Sequence, residues 1–523
     1  MKYKLTQSQL QKMHNIQWLT SDDNTIAIPS PSYTKVTKAQ LAQLEMDLQA
    51  RVVYPWSPGY DDAKREMNDV YPAFPLLIVF IATYADIQVC LKFAQDYNIP
   101  TTIRSGRHSL ADYSVCDGMV IDISGLKSVF VDPIRHTVLV EAGITFEELN
   151  PQLEFYSMHL PGGGCPTVSV AGYMQGGGYG LTSRNFGIQS DCVLEFTMIL
   201  ADGTLVVANA NQNTDLFWAV RGGTGGNFGV LVQIKYKIFP LGLIWGISIA
   251  WDFENDTTNA AQALYTIQEN YLSGFQLPNL GIETLVFTDI AGDGHKKVRF
   301  GGAFIGNEVD LNNAIAPLLA VPGFIVVFRQ QGKYSFINNQ VLEGIPAIPV
   351  NQLPTIKFYG RSTYIARKLN VADYQNILTF FKTVPNTYGM LDLEGYGGVI
   401  NTYPVEQSAF IHRDVLMDFY AIVFFDKVTN DQEKNRQWLI SLFNFMEQYS
   451  NGHSYQNYPN RDQQGFQWAY WGQYYNQLVA IKRKYDPANF FNYPQSIGSP
   501  LNPELDEKQI ILFDNTLIQY EMY

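Results

Sequence analysis

The chain has little cysteine: four in 523 residues, at positions 90, 116, 165 and 192, with no CxxC pair among them. Such sparse, scattered thiols exclude a zinc framework or a fold stapled by disulfides. Its first residues, Met1-Lys2-Tyr3-Lys4-Leu5-Thr6-Gln7-Ser8-Gln9, contain no apolar stretch, and no later run reaches the roughly eighteen apolar residues of a membrane span. A cytoplasmic protein with no membrane partner is the expectation. Positive charge is also scarce, 36 Lys and Arg against 49 Asp and Glu, for a net −13. Nucleic acid and anionic membranes select clustered Lys and Arg, so neither fits as a partner. The seven histidines include no HExxH and no compact HxH pair, and no metal is expected. Neither the GxSxG elbow of serine hydrolases nor a GxxxxGK[ST] phosphate loop occurs.

A content of 46% hydrophobic and 16% charged residues suits a large globular enzyme with one or two substantial cores. In the first half, residues 76–81 form an apolar run and Thr83 is a candidate N-cap. Ile87, Leu91 and Ala94 then recur at helical spacing until Asn98-Ile99-Pro100. With residues 99–104 as the next strand, this β-α-β unit delivers residues 105–109 into a loop after a strand, where open α/β sheets bind ligands. Residues 138–141 read as a strand, and Thr145 with Glu148 as a capping box. Pro151 predicts a short helix or a break near Asn150. Residues 193–200 and 205–208 flank Asp202-Gly203 as a hairpin, residues 215–221 read as a helix, and 230–238 as a strand. Phe217 and Trp218 read as core residues at helical spacing. From 241 to 453 the pattern turns to aromatic-rich strands such as 244–252, 297–305 and 416–425.

Two residues stand out from this background. His108 follows a turn in Arg104-Ser105-Gly106-Arg107-His108-Ser109, and Cys165 ends Gly162-Gly163-Gly164-Cys165-Pro166-Thr167. Taken singly, one is a polar loop residue and the other a small buried thiol. Together, two nucleophiles on glycine-rich backbone point to a covalently held cofactor. Glycine admits close approach of main chain to a ligand, and free N–H groups in such turns bind anions such as a pyrophosphate. Residues 162–180 hold eight glycines, too ordered in context for a linker. They lack the strand-turn-helix setting of a nicotinamide fingerprint, so a flat ring system fits them better.

Residues 104–109, Cys165-Pro166-Thr167-Val168, residues 172–180 and 221–230 resemble the flavin domain of the berberine bridge enzyme-like oxidases. These belong to the vanillyl-alcohol oxidase/p-cresol methylhydroxylase (PCMH) superfamily. The resemblance runs from about 75 to 240, resumes near 455 and closes at Asn489-Phe490-Phe491-Asn492-Tyr493-Pro494-Gln495-Ser496-Ile497. It implies an α+β fold with a two-part FAD-binding domain, residues 1–240 and 455–523, around a substrate domain, 241–454, whose antiparallel sheet is covered by helices. It further implies FAD linked covalently through His108 to the 8α-methyl and through Cys165 to C6. Arg104, Ser105, Gly106, Arg107, Ser109, Thr167, Val168, Gly172, Gly176, Gly177, Gly178, Gly180, Gly229, Val230, Asn492 and Gln495 would hold the cofactor. Arg107 stands where the family commonly has glycine, and its side chain needs space beside the ring. Tyr173 stands where histidine is frequent.

Flavin-dependent oxidation of an alcohol needs a group that takes the hydroxyl proton while hydride leaves the adjacent carbon, and a tyrosine serves if neighbouring charge lowers its pKa. Among 32 tyrosines, Tyr458 is singled out because Tyr455-Gln456-Asn457-Tyr458-Pro459-Asn460 resembles a family segment with a catalytic tyrosine; Tyr455 is its rival. Asp392, Glu394 and Tyr396, just before Gly397-Gly398, resemble the start of a strand facing the ring. His412-Arg413-Asp414 reads equally as a structural turn. Val168 resembles the valine that accompanies use of O2, giving H2O2. The expected substrate is a small molecule, a sugar or other alcohol. Oxidative cyclisation or desaturation of a secondary metabolite, and a flavoprotein with little turnover, are the alternatives. The sequence leaves the oligomeric state open.

Overall fold

The computed structural model describes residues 25–26, 36–68, 70–272, 275–343, 356–426 and 432–498; the stretch from Met1 to Gln9 discussed above lies outside them. Three sheets organise the chain. The first contains β1 (Arg51–Val53), β2 (Leu77–Phe80), β3 (Thr101–Arg104) and β4 (Met119–Asp122) in the order β1-β2-β4-β3. Strands β2 and β3 both run parallel to β4. The crossover helix α1 (Tyr84–Asp96) starts where the sequence places it. Thr83 Oγ1 accepts from the Asp86 amide, and Asp86 Oδ2 accepts from the Thr83 amide at 2.7 Å, so two orphan donors of the first turn are satisfied.

The second sheet is antiparallel. It contains β5 (Val129–Asp132), β6 (Thr137–Glu141), β7 (Val193–Ile199), β8 (Leu205–Asn209) and β9 (Val230–Lys237), in the order β8-β7-β9-β6-β5. Helices α2 (Phe146–Phe155), α3 (Val170–Gln175) and α4 (Thr214–Val220) lie between its strands in sequence. Of the short helix or break expected near Asn150, the break does not occur: α2 runs ten residues with Pro151 inside it. Proline there removes the one bond that would reach the Glu147 carbonyl. The capping box of Thr145 and Glu148 and the buried face of Phe146, Leu149 and Leu153 outweigh that loss.

The third sheet has seven antiparallel strands: β10 (Ile244–Asp252), β11 (Leu280–Thr288), β12 (Lys296–Phe304), β13 (Phe324–Gly332), β14 (Ile356–Ile365), β15 (Gly389–Gly395) and β16 (Met417–Asp426). Their order is β13-β10-β12-β11-β15-β16-β14. Helices α5 (Thr258–Ile267), α6 (Glu308–Leu319), α7 (Val371–Phe381) and α8 (Gln432–Met446) share one apolar core with one face of this sheet. The first two sheets build a separate core, and Tyr470, Trp471, Leu478, Ile481, Phe491 and Ile497 rejoin it from the far end of the chain. These residues lie on or after α9 (Phe466–Trp471) and α10 (Tyr475–Tyr485). Among the described residues no helix is long and apolar enough to cross a membrane.

Candidate active site

Between the two cores lies a cleft of about 580 Å³. Ser105 to Ser109, Cys165, Val168, Gly172, Gly180, Gly229 and Gln495 line one side, and Glu283, Asp392, Glu394, Tyr420, Tyr455 and Tyr458 the other.

The first side is mostly main chain. Strand β3 ends at Arg104, and the loop beyond it packs on residues 167–169 so tightly that a Cβ on Gly106 would stand 2.6 Å from the Ser169 amide nitrogen. Arg107 follows at φ +62°, a left-handed conformation that glycine adopts without strain. Its guanidinium finds space by turning to the Asp62 carbonyl, to which it donates at 3.0 Å, and to Asp122 at 3.8 Å. His108 Nε2 is 2.8 Å from Thr167 Oγ1. Burial holds its imidazole down to about 4, so the ring is neutral near pH 7 and keeps a nucleophilic lone pair. Cys165 is exposed and forms no disulfide. At Gly172 an added Cβ would meet nothing within 4 Å, because it would project into the open cleft. Bare backbone of this kind, beside a neutral imidazole and an exposed thiol, fits FAD.

The second side is built by strand register. Along β15, Leu391 and Leu393 enter the helix-side core, so Asp392 and Glu394 face the cleft. Glu394 lies opposite Glu283 of β11 and opposite Asp418 of β16, while Asp392 lies opposite Tyr420. Three carboxyls thus form a row across adjacent strands, an arrangement that repels when all are charged. Protons relieve it. Burial raises Glu394 to about 7, against hydrogen bonds from Tyr179 and Tyr458 that favour its charged form. Burial and then Glu394 raise Glu283 to about 8, and burial raises Asp392 and Asp418 as well. One oxygen each of Glu283, Asp392 and Glu394 lie within 4.8 Å of one another, a proximity that favours keeping protons in the cluster. The Tyr179 hydroxyl contacts both Glu394 Oε2 and Asp418 Oδ2, the latter at 2.9 Å. One hydroxyl has one hydrogen, so it bonds both carboxyls only if one of them is protonated.

Tyr458 donates to Glu394 Oε1 at 2.8 Å and stacks on Tyr420 with centroids 4.1 Å apart. Its pKa is raised by burial first and then by Glu394 and Asp392, which corrects the expectation of a phenolate favoured by neighbouring charge. The Tyr455 hydroxyl accepts from the Gly178 amide at 3.0 Å and from Asn457 Nδ2 at 2.8 Å.

Several expected residues stand elsewhere. Arg104 does not line the cleft; it is fully buried, paired with Asp122 at 2.8 Å and Glu66 at 3.2 Å, and anchors the strand that carries His108. Gly176, Gly177 and Gly178 also lie off the cleft wall, packed against Asn457, Phe410 and Tyr173 respectively. Val230 is buried in β9, and Asn492 is exposed and bonds the Asn489 carbonyl, while Tyr493 beside it lines the cleft. Thr167 acts through His108 rather than from the wall. Tyr396 lies beyond the end of β15, its hydroxyl 2.9 Å from that of Tyr364. His412 is buried against Gln456, and Arg413 pairs with Asp191 at 2.6 Å, which makes that segment structural. Tyr173 lines the cleft, and its hydroxyl donates to the Tyr179 carbonyl.

Sequence reasoning missed Glu283, Asp418 and Tyr179. For the two acids the available signal was their place inside largely apolar strands, Glu283 in Leu280–Thr288 and Asp418 in Met417–Asp426.

Residues 75–209 match the family model described as FAD binding domain, and residues 454–498 that described as Berberine and berberine like. The uncharacterized FAD-linked oxidoreductase YvdP of Bacillus subtilis (strain 168) is 29% identical over 457 residues, which cover 86% of this chain and 98% of that protein. A chitooligosaccharide oxidase of Gibberella zeae is 26% identical over 458 residues, 82% of this chain and 88% of its own. The solved structure of wild-type Physcomitrella patens BBE-like 1 matches with a TM-score of 0.79 at 26% identity, covering 88% of this chain and 99% of that one. Matching cofactor and carboxy-terminal segments make the chain an FAD-linked oxidoreductase that shares the fold of the berberine bridge enzyme-like proteins.

Proposed function

We propose that the protein is an oxidase of a sugar or related alcohol, with FAD attached through His108 at the 8α position and Cys165 at C6, and with O2 as acceptor, giving H2O2. In this reading residues 1–240 and 455–523 form the cofactor unit and 241–454 the substrate unit. The observation that carries the reading is the hydrogen bond from Tyr458 to Glu394 on the cleft wall. Bound FAD supplies the hydride acceptor.

The chain's own part is the proton. A substrate hydroxyl placed against Tyr458 gives its proton to the phenol oxygen as the phenolic proton passes to Glu394 Oε1, so no free phenolate is needed. Glu394 accepts only when ionised, and its elevated pKa matches it to a base working near neutral pH. Tyr179 links Glu394 to Asp418, and with the proton of that pair held on Asp418, Glu394 is the carboxyl left ionised to accept. Tyr420, Phe358 and Phe424 give the same wall aromatic faces on which a sugar ring stacks. The similarity to a chitooligosaccharide oxidase favours a carbohydrate, and Val168 on the wall favours O2 through the family resemblance.

The test is anaerobic mixing of the flavin-loaded enzyme with a panel of oligosaccharides, simple alcohols and aromatic secondary metabolites, followed by admission of air. Bleaching of the flavin by a carbohydrate and stoichiometric peroxide on reoxidation are expected. Bleaching only by aromatic metabolites would replace the reading with oxidative cyclisation or desaturation.

A further inference from the structure

Among the described residues, strand β13 is the outermost strand of the seven-stranded sheet and pairs with β10 alone. Among the described residues, no backbone bond from another element reaches its outer side. Both faces of its first half are open as well: Phe324, Ile325, Val326 and Val327 are 40, 57, 45 and 56% exposed. Scattered apolar side chains on a surface need no explanation, but four in succession on a free sheet edge do. Exposed edges are ordinarily guarded by lysine, proline or an inward charge, and residues 324–328 contain none of these. Their only guard is a bulge at Val327, which falls between the pairs Val326 with Ile249 and Phe328 with Ser248.

The run Phe324-Ile325-Val326-Val327-Phe328 reads almost the same in reverse. Antiparallel pairing of two copies about Val326 therefore sets Phe324 against Phe328, Ile325 against Val327, and Val326 against itself. Aromatic and β-branched pairs of this kind are the favourable units of a sheet. No acidic side chain occurs from Ala320 to Lys333, and Arg329 is already held by Glu308 at 2.9 Å. Two copies of a chain with net charge −13 can meet there without opposing like charges. We propose that β13 is a homodimer interface, at which a second copy of this chain adds its own β13 edge to edge in antiparallel register, so that one sheet runs through both protomers.

The experiment is sedimentation velocity of the full-length, flavin-loaded protein over a range of micromolar concentrations, beside two variants. The unaltered protein should sediment at twice the chain mass. Val326→Lys, which places two ammonium groups opposite each other, should sediment at the chain mass with unchanged flavin absorbance. Val326→Cys should give a thiol-reversible, cross-linked dimer on mild oxidation. A wild-type protein at the chain mass throughout, or a dimer that persists in Val326→Lys, overturns the proposal. So does a monomer that dimerises only after residues 499–523 are removed, since that would assign the edge to the chain's own carboxy-terminal segment.

Discussion

On one side of the cleft, the loop after β3 and the glycines around α3 present main chain, interrupted by His108 and Cys165. On the other, β11, β15 and β16 present a row of carboxyls whose spacing is set by strand register. The two sides solve different problems. Backbone can approach a large flat ligand closely and commits few side chains to it. A row of acids holds and moves protons, but it does so in an arrangement that resists full ionisation. In the proposed reading the cofactor rests on the first side and the proton ends on Glu394 of the second, reached through Tyr458 of the returning chain, so changes on each side should have different signatures.

The largest expected effect is on the backbone side. The double variant His108→Ala with Cys165→Ala should lose all covalent flavin, which acid precipitation would release into the supernatant, whereas either single variant should retain it in the pellet. Flavin release from the unaltered protein would remove the covalent assignment. On the carboxyl side, Tyr458→Phe should keep its flavin and lower the rate of anaerobic flavin reduction by roughly 10²–10⁴-fold, the usual worth of a positioned proton-transfer group, with little change in substrate binding. Tyr455→Phe should cost far less, since the Tyr455 hydroxyl is occupied as an acceptor for Gly178 and Asn457. Equal losses in the two variants would dissolve the distinction between them.

A third effect concerns stability. Glu283 has its folded pKa raised from 4.5 to about 8, so the folded protein keeps that proton to higher pH than the unfolded chain. Its contribution is fully present below about pH 4.5 and is lost as pH rises through about 8. Glu283→Gln should therefore raise Tm at pH 8 by several degrees and flatten the fall of Tm between pH 5 and 8. A parallel Tm–pH curve in the variant would mean that the row of acids is not strained. The smallest effect returns to the backbone side: Val168→Ile adds a methylene to the cleft wall and should slow reoxidation by air several-fold while leaving anaerobic reduction nearly unchanged.

The sequence disclosed these two sides unequally, for a physical reason. The residues around His108 and Cys165 are local, because a loop that packs against a ligand needs its glycines and nucleophiles within a few positions of one another. Strands β2 and β3, the capped crossover helix between them and the hairpin at Asp202-Gly203 were legible for the same reason, being fixed by short-range caps and turns, whereas β1 and β4 of the same sheet were not read. Glu283, Glu394 and Asp418 are neighbours only through pairings among three strands far apart in the chain. Nothing local in Leu280–Thr288 announces its partners. Asp392 and Glu394 were recognisable as candidates, but their orientation required knowing which face of β15 the helices cover. Arg104 misled because a loop motif does not tell whether its first side chain turns to the ligand or back to Asp122. Tyr458 was visible, yet its charged neighbour lies 64 positions away and raises its pKa instead of lowering it.

The central claim is that the substrate's proton passes through Tyr458 to Glu394, and the most direct test is the pH dependence of anaerobic flavin reduction in the unaltered enzyme and in Glu394→Gln. The rate in the unaltered enzyme should fall as pH drops through about 7, because protonation removes the acceptor. Glu394→Gln should be slower by roughly 10²–10⁴-fold and should lack that limb. A Glu394→Gln enzyme that keeps the same limb at a comparable rate would contradict the account.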